Sequence, residues 1–251
     1  MINFGTGKLI AVPTNLADGT PIAVPTPVRL GTMQDVSVDL SVEMKTLYGS
    51  ARYPIAAGQG KGKIAIKAKY AEIDGKILGS LFYGKASTAG IKAAVFDFAT
   101  SIPASTPYTV TVAPPNSGTF AEDMGVIFAA TGVQLTRVTS APAAGQYSVS
   151  AGGVYTFAAA DSGKAIAISY EYSASGSGEI FQITNDVMGY TPSFKLLLQN
   201  SYDGKSLVLK LNRCVSNKLN LPLKNDDFAL YDFEAEAFAD AAGSLGYICM
   251  F

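Results

Sequence analysis

The residue types that could do chemistry match the familiar ligand-binding motifs poorly. Residues 5–8, Gly-Thr-Gly-Lys, resemble the end of a phosphate-binding loop, but Leu9 stands where that motif needs Ser or Thr. The glycine-rich residues 58–62 have Lys63 at the position of the third glycine in a dinucleotide fingerprint. Residues 225–227, Asn-Asp-Asp, lack the spaced ligands and terminal glutamate of a calcium loop. We therefore expect no cofactor and no metal.

Histidine is absent from all 251 residues. Its absence removes the commonest general base and the commonest zinc ligand together. We therefore expect that this protein is not an enzyme.

Four lysines form a local basic stripe, namely Lys61, Lys63, Lys67 and Lys69. The stripe fits either a solvated strand face or a contact with phosphate groups. The whole chain has a net charge of -1, so it has no overall basic field that would bind nucleic acid tightly.

Two alternating segments must position these lysines. In residues 36–45, Val, Val, Leu, Val and Met alternate with Ser, Asp, Ser, Glu and Lys, which predicts a strand with one apolar face and one polar face. Residues 64–70 alternate in the same way. Between them, the glycine-rich residues 48–63 predict a long loop that projects from the sheet and makes contact with another molecule.

The composition favours subunit contacts. Hydrophobic residues make up 48% of the chain and charged residues only 16%, so much uncharged surface must remain exposed on a monomer. Cys214 and Cys249 are expected to be free, buried thiols, with a disulfide as the alternative, because the N-terminus lacks a secretory hydrophobic segment. We expect synthesis and folding in the cytoplasm, with no membrane insertion.

Residues 11–32 contain four prolines and are expected to form an extended arm. A mobile tail is the alternative, but apolar side chains favour an arm laid along the body or along a neighbour; these are Ile22, Val24, Val28 and Leu30. Helical spacing predicts a short helix over residues 71–83, with Gly84 ending it.

The sequence predicts a mainly β protein with a split domain. Short alternating runs between proline-rich turns predict an inserted immunoglobulin-like β-sandwich over residues 101–172. A Ser/Gly-rich linker is expected from residue 173 to 178. The remaining residues, 1–100 and 173–251, would form the split domain, including a hairpin with an Asp203-Gly204 turn.

The order of these elements resembles the tail tube proteins of long-tailed bacteriophages. The matching features are two strands around a long loop (36–70), a short helix (71–83), a later hairpin (194–211) and a closing strand pair (228–251). Residues 188–194, 210–214 and 227–240 look like sequences of phage virion proteins. Residues 145–149 and 155–161 look like a module that such proteins carry.

This resemblance implies a tail-tube-type β-sandwich or barrel whose subunits form stacked hexameric rings. The implied partners are further copies, a length-setting protein, a baseplate or tip and a tail terminator, with a sheath if the tail is contractile, which the sequence leaves open. Double-stranded DNA would pass transiently, without sequence-specific binding. The implied location is the virion tail, assembled in the host cytoplasm. Ring stacking would then use the projecting loop, with Tyr48, Gly49, Arg52, Tyr53, Pro54 and Ile55.

Strict alternation of side chains along the strands assigns the channel-facing candidates. They are Ser37, Asp39, Ser41, Glu43, Lys45, Lys63, Lys67 and Lys69. Two alternatives remain open: another virion subunit, such as a head decoration or tail connector protein, and a glycan-binding or adhesive β protein.

Overall fold

The computed structural model describes residues 4–72, 75, 77–185 and 188–251. The protein is mainly β, as predicted, and its contacts divide it into two compact units, Met1–Ser87 with Phe181–Phe251 and Thr88–Ile180. The strands are β1 (Lys8–Asn15), β2 (Val28–Leu30), β3 (Met33–Tyr48), β4 (Pro54–Tyr70), β5 (Thr88–Ser101), β6 (Thr109–Thr111), β7 (Thr119–Phe128), β8 (Thr136–Arg137), β9 (Gln146–Val149), β10 (Val154–Phe157), β11 (Ala165–Ile180), β12 (Ser193–Tyr202), β13 (Lys205–Asn220), β14 (Tyr231–Ala237) and β15 (Gly246–Met250). Among the described residues, no helix has the length and apolar character needed to cross a bilayer.

The first unit is built on one antiparallel sheet with the strand order β2-β1-β12-β13-β14-β4-β3. β15 also pairs with β13, beyond the point where β14 leaves it. The two edge strands, β2 and β3, are separated in sequence only by Gly31 and Thr32. Since a linker of this length spans only about 10 Å, the sheet must curl until these edges approach each other.

The concave face of the sheet holds the core. Alternate residues of the central strands are fully buried there, among them Leu9, Phe194 and Phe233. A short π-helix, Ile77–Tyr83, adds Ile77 and Leu81 to this cluster. Side chains on one face of the sheet therefore define the interior, and those on the other face meet solvent.

The predicted helix over residues 71–83 forms in part. Residues 71 and 72 are not helical, residues 73, 74 and 76 lie outside the described residues, and the π-helix is Ile77–Tyr83. Gly84 follows with a φ of 60°, and the Lys85 amide donates to the Gly79 carbonyl at 2.9 Å. The predicted end of the helix at a left-handed glycine is confirmed.

β3 and β4 form a long hairpin, and the predicted long loop is wrong. Residues 54–63 belong to β4, and only residues 49–53 connect the two strands. Glycines disfavour strands in isolation, but here β3 supplies a continuous partner and its side chains cover the glycine backbone; Gly60 lies against Glu43 and Lys45. A register shift between Val42 and Met44 accommodates one extra residue of β4.

The second unit has two sheets, β5-β11-β7 and β6-β10-β9-β8. They share one core, which includes Tyr155 from one sheet with Ile166 and Tyr170 from the other.

The Asp203-Gly204 turn predicted in the first unit also forms, and both of its residues have positive φ angles, 51° and 70°.

The predicted limits of the insertion, 101–172, differ from those of this unit, Thr88–Ile180. The expected flexible linker is instead part of β11, where Ser173 pairs with Lys92. Small side chains permit this pairing, and β5 supplies the hydrogen-bonding edge. Thr88 and Ile180 are cross-strand partners, so the unit begins and ends at adjacent positions.

Both cysteines are free thiols, as expected, but only one is buried. Cys214 lies in the core, where burial raises its pKa to about 12. Cys249 on β15 is exposed, so the prediction of burial is wrong for it. The reason is that Cys249 lies opposite Val208, which alternates along β13 with the core residues Leu209 and Leu211, so its side chain points away from the core.

Candidate functional site

The polar face of β3 and β4 gathers the channel-facing candidates on one surface. Ser37 lies opposite Lys67 and Ser41 lies opposite Lys63. Asp39, Glu43, Lys45 and Lys69 follow the same alternation, and all eight side chains are exposed. The structure therefore places the whole predicted set on the convex, solvent-facing side of the sheet.

β14 adds acidic partners that the sequence analysis did not assign to this surface. Lys63 Nζ lies 2.6 Å from Glu236 Oε1, and Lys218 Nζ lies 3.2 Å from Glu234 Oε1. Hydrogen bonding to Glu236, reinforced by its charge, raises the pKa of Lys63. Asp232 is the cross-strand partner of Lys69. The β4 lysines thus lie between two acidic strands.

This arrangement is suited to balancing charge. Alternation of sign from strand to strand keeps the local potential low, whereas a wall of lysine would hold phosphate groups. Within the described ranges, no group of three His, Cys, Asp or Glu side chains could hold a metal ion. The described charges of this surface are thus arranged as ion pairs and cross-strand neighbours of opposite sign.

The end of the β3–β4 hairpin exposes apolar side chains on both of its strands. Val36 and Val38 pack against the core, but farther along the same face Leu40, Val42 and Met44 are 56%, 54% and 73% exposed. The expected stacking residues lie at the tip of the hairpin, and all are exposed: Tyr48, Gly49, Arg52, Tyr53, Pro54 and Ile55. The apolar face of the strand therefore continues past the point where the subunit itself can cover it.

The predicted N-terminal arm of residues 11–32 is wrong at its start, since residues 11–15 belong to β1, which lies within the sheet between β2 and β12. The rest of the arm divides into two parts. Val28 and Leu30 belong to β2 and are buried in the core of their own subunit, so they are not available to a neighbour. Ile22 is half-buried and Val24 is 87% exposed. These two line an apolar groove of about 500 Å³ together with Pro13, Leu16, Thr26, Val28, Ser80, Lys85, Ala86, Ser87 and Phe181.

In the second unit, a buried carboxylate ties the two sheets together. Asp123 of β7 accepts hydrogen bonds from the Tyr147 hydroxyl at 2.7 Å and the Tyr155 hydroxyl at 3.0 Å. Burial, followed by the effect of Asp123, raises the pKa of both phenols. Arg137 lies 3.6 Å from the same carboxylate. Each group has a partner, so the cluster has the properties of a structural network.

No protein-family model matches the chain, and no curated protein matches it either.

Proposed function

We propose that this protein is a structural subunit that self-associates, and that it forms the tail tube of a long-tailed phage. The observation that carries the proposal is the β3–β4 hairpin, whose core-facing side continues outward as exposed Leu40, Val42 and Met44. Exposed apolar faces of this kind mark protein contacts. β3 is also a long strand at the end of the described strand order, and an open strand edge is a liability that assembly removes.

The assignment to a tail tube rests on this observation together with the resemblance in the order of the elements. Six copies that each contribute several strands would make a barrel wide enough for an aqueous channel. The charge-balanced face of β3, β4 and β14 would line this channel, and DNA would pass without being held, because the β4 lysines already have acidic neighbours.

The proposed partners are further copies of the chain in stacked hexameric rings, together with other tail proteins. The proposed location is the virion tail. The exposed tip of the hairpin, with Tyr48, Tyr53 and Ile55, would form the ring-to-ring contact, because aromatic and aliphatic anchors at the centre of an interface supply most of its energy.

Truncation of the hairpin tests this proposal. Ser41 and Lys63 are cross-strand partners, so replacing residues 42–62 by Asn-Gly closes a two-residue turn on the existing register. We expect a folded subunit that no longer assembles, measured by sedimentation velocity. Continued burial of Cys214, shown by a thiol that reacts only after unfolding, is the control for folding. Normal assembly of the truncated protein would contradict the proposal.

A further inference from the structure

Three neighbouring strands of the first unit's sheet carry apolar side chains on both faces. Residues 9–12 of β1, 196–198 of β12 and 207–209 of β13 are uninterrupted apolar runs, whereas residues 36–45 of β3 alternate strictly between apolar and polar. Strict alternation is typical of a strand with one solvated face, and uninterrupted runs are typical of strands covered on both faces. The core covers one face of β1, β12 and β13, so their outward face is also suited to being covered.

The outward side chains of these strands form an apolar centre. Ile10 of β1 lies opposite Leu197 of β12, which lies opposite Lys210 of β13. Val12 and Val208 are two residues farther along β1 and β13, on the same face. All four apolar side chains are half-buried, so the described residues cover only part of each.

Lysines border this apolar centre. Lys195 lies opposite Val12, four residues along β1 from Lys8, which places the two lysines about 14 Å apart along the strands at opposite ends of the centre. Lys210 lies at its side. Within the described residues, none of these three lysines forms an ion pair. β1, β12, β13 and β15 contain no Asp or Glu, and the acidic residues of the sheet's strands all belong to β3 and β14.

β15 adds exposed aromatic side chains to the same face. Tyr247 lies opposite Lys210, whose Nζ is 5.8 Å from the centre of the Tyr247 ring. The Phe251 amide donates to the Ser206 carbonyl at 3.0 Å, so the pairing continues past the end of β15. Alternation then places Cys249 and Phe251 on the outward face with Tyr247. Tyr247 and Phe251 are 53% and 70% exposed, and aromatic side chains of this kind are enriched in protein interfaces.

We propose that this basic face, the outward face of β1, β12, β13 and β15, binds a partner protein whose contact surface has Asp and Glu side chains around apolar ones. The apolar centre and the aromatic side chains supply the area that excludes water, and the lysines around them select an acidic surface. One subunit carries the whole basic face, so this contact does not require further copies of the chain.

Partners rich in phosphate would use less of the basic face. A nucleic acid strand would pair its phosphates with the three lysines and leave the apolar centre uncovered. A lipid bilayer takes up apolar side chains that reach about 5–10 Å into it, whereas Ile10, Val12, Leu197 and Val208 are half-buried on the convex side of the sheet. An acidic protein surface matches both the lysines and the apolar centre.

Protection of Cys249 in the unassembled, full-length protein tests the proposal. Cys249 lies on the basic face and Cys214 is buried, so the neutral reagent iodoacetamide should alkylate a single thiol of the folded chain. A random copolymer of glutamate and tyrosine serves as the probe, and polyglutamate is the matched probe without apolar groups. We expect the copolymer to slow the alkylation of Cys249, to bind more tightly than polyglutamate and to bind more weakly as salt is added.

Charge reversal on the basic face supplies the second measurement. Lys195→Glu and Lys210→Glu together should weaken copolymer binding by about tenfold, since each reversal replaces an attraction by a repulsion. Lys92→Glu is the matched control, because Lys92 is an exposed lysine of the second unit, and binding should be unchanged. Continued slow alkylation of Cys214 shows that each variant is folded.

Four results would overturn the proposal. The first is equally tight binding of polyglutamate, and the second is copolymer binding that leaves Cys249 unprotected or is insensitive to the two reversals. The third is tighter binding to phosphatidylglycerol vesicles or to single-stranded DNA than to the copolymer. The fourth is protection of Cys249 by a rising concentration of the protein alone, which would make a second copy the occupant. None of these measurements requires rings or tubes, so the first three results would leave the proposed function standing and the fourth would support self-association.

Discussion

Replacement of Leu40, Val42 and Met44 by threonine should weaken self-association without unfolding the subunit. Threonine keeps a good strand propensity and removes most of the apolar surface. The three side chains are 56%, 54% and 73% exposed in the isolated subunit, so the fold itself uses less than half of their surface. Only an assembly can bury the rest.

The magnitude follows from the area that remains to be covered. Complete burial of a side chain of this kind stabilises by about 1.5–3 kcal/mol, so covering the exposed part contributes about 1–2 kcal/mol for each residue. The triple variant should therefore lose about 3–5 kcal/mol per contact. Because each 1.4 kcal/mol corresponds to about a tenfold change in Kd, the concentration needed for assembly should rise by at least about a hundredfold.

Sedimentation velocity over a range of protein concentrations measures this shift. Met124→Thr is the matched control, since Met124 is 53% exposed and belongs to the second unit rather than to the hairpin, and its substitution should leave assembly unchanged. Thermal unfolding followed by circular dichroism should give the same Tm for both variants as for the unmodified protein. Assembly of the triple variant at the unmodified protein's concentration would refute the reasoning.

Two further predictions concern the core and the charged surface. The Tyr70 hydroxyl is buried without a partner among the described residues, and burial raises the pKa of Tyr70 to about 12. The free energy of unfolding should therefore fall as pH rises from about 10 towards 12, because the phenol ionises first in the unfolded chain. In urea titrations, Tyr70→Phe should make this fall shallower and leave the free energy of unfolding at neutral pH unchanged. An equally steep fall with pH in the variant would contradict the prediction. Replacement of both Asp39 and Glu43 by lysine should leave the subunit folded but make assembled particles retain duplex DNA at physiological salt, measured by cosedimentation. Tight DNA binding by the unmodified protein would contradict the proposed balance of charge.

Local patterns predicted the elements whose partners are near in sequence. Alternation identified β3 and the polar face that carries Asp39 and Lys63, and the Asp203-Gly204 turn identified the hairpin of β12 and β13. In these cases one segment contains both the periodicity and the turn signal, so the sequence alone is sufficient.

Strand pairings were the part that local reasoning missed. Glu236 lies next to Lys63 only because β14 pairs with β4, and nothing in either segment specifies that partner. The glycines of residues 58–62 look like a loop until β3 provides a strand to pair with them, and Ser173 looks like part of a linker until β5 does the same. Pairing with a partner strand overrides local propensity in both cases, although that strand is adjacent in sequence for residues 58–62 and distant for Ser173.

Electron microscopy of the purified full-length protein tests the central claim most directly. The proposed function predicts six-fold rings and tubes of stacked rings at high protein concentration, with an open channel along the axis. Single, unassociated particles at every concentration, in protein whose Cys214 remains buried, would contradict it.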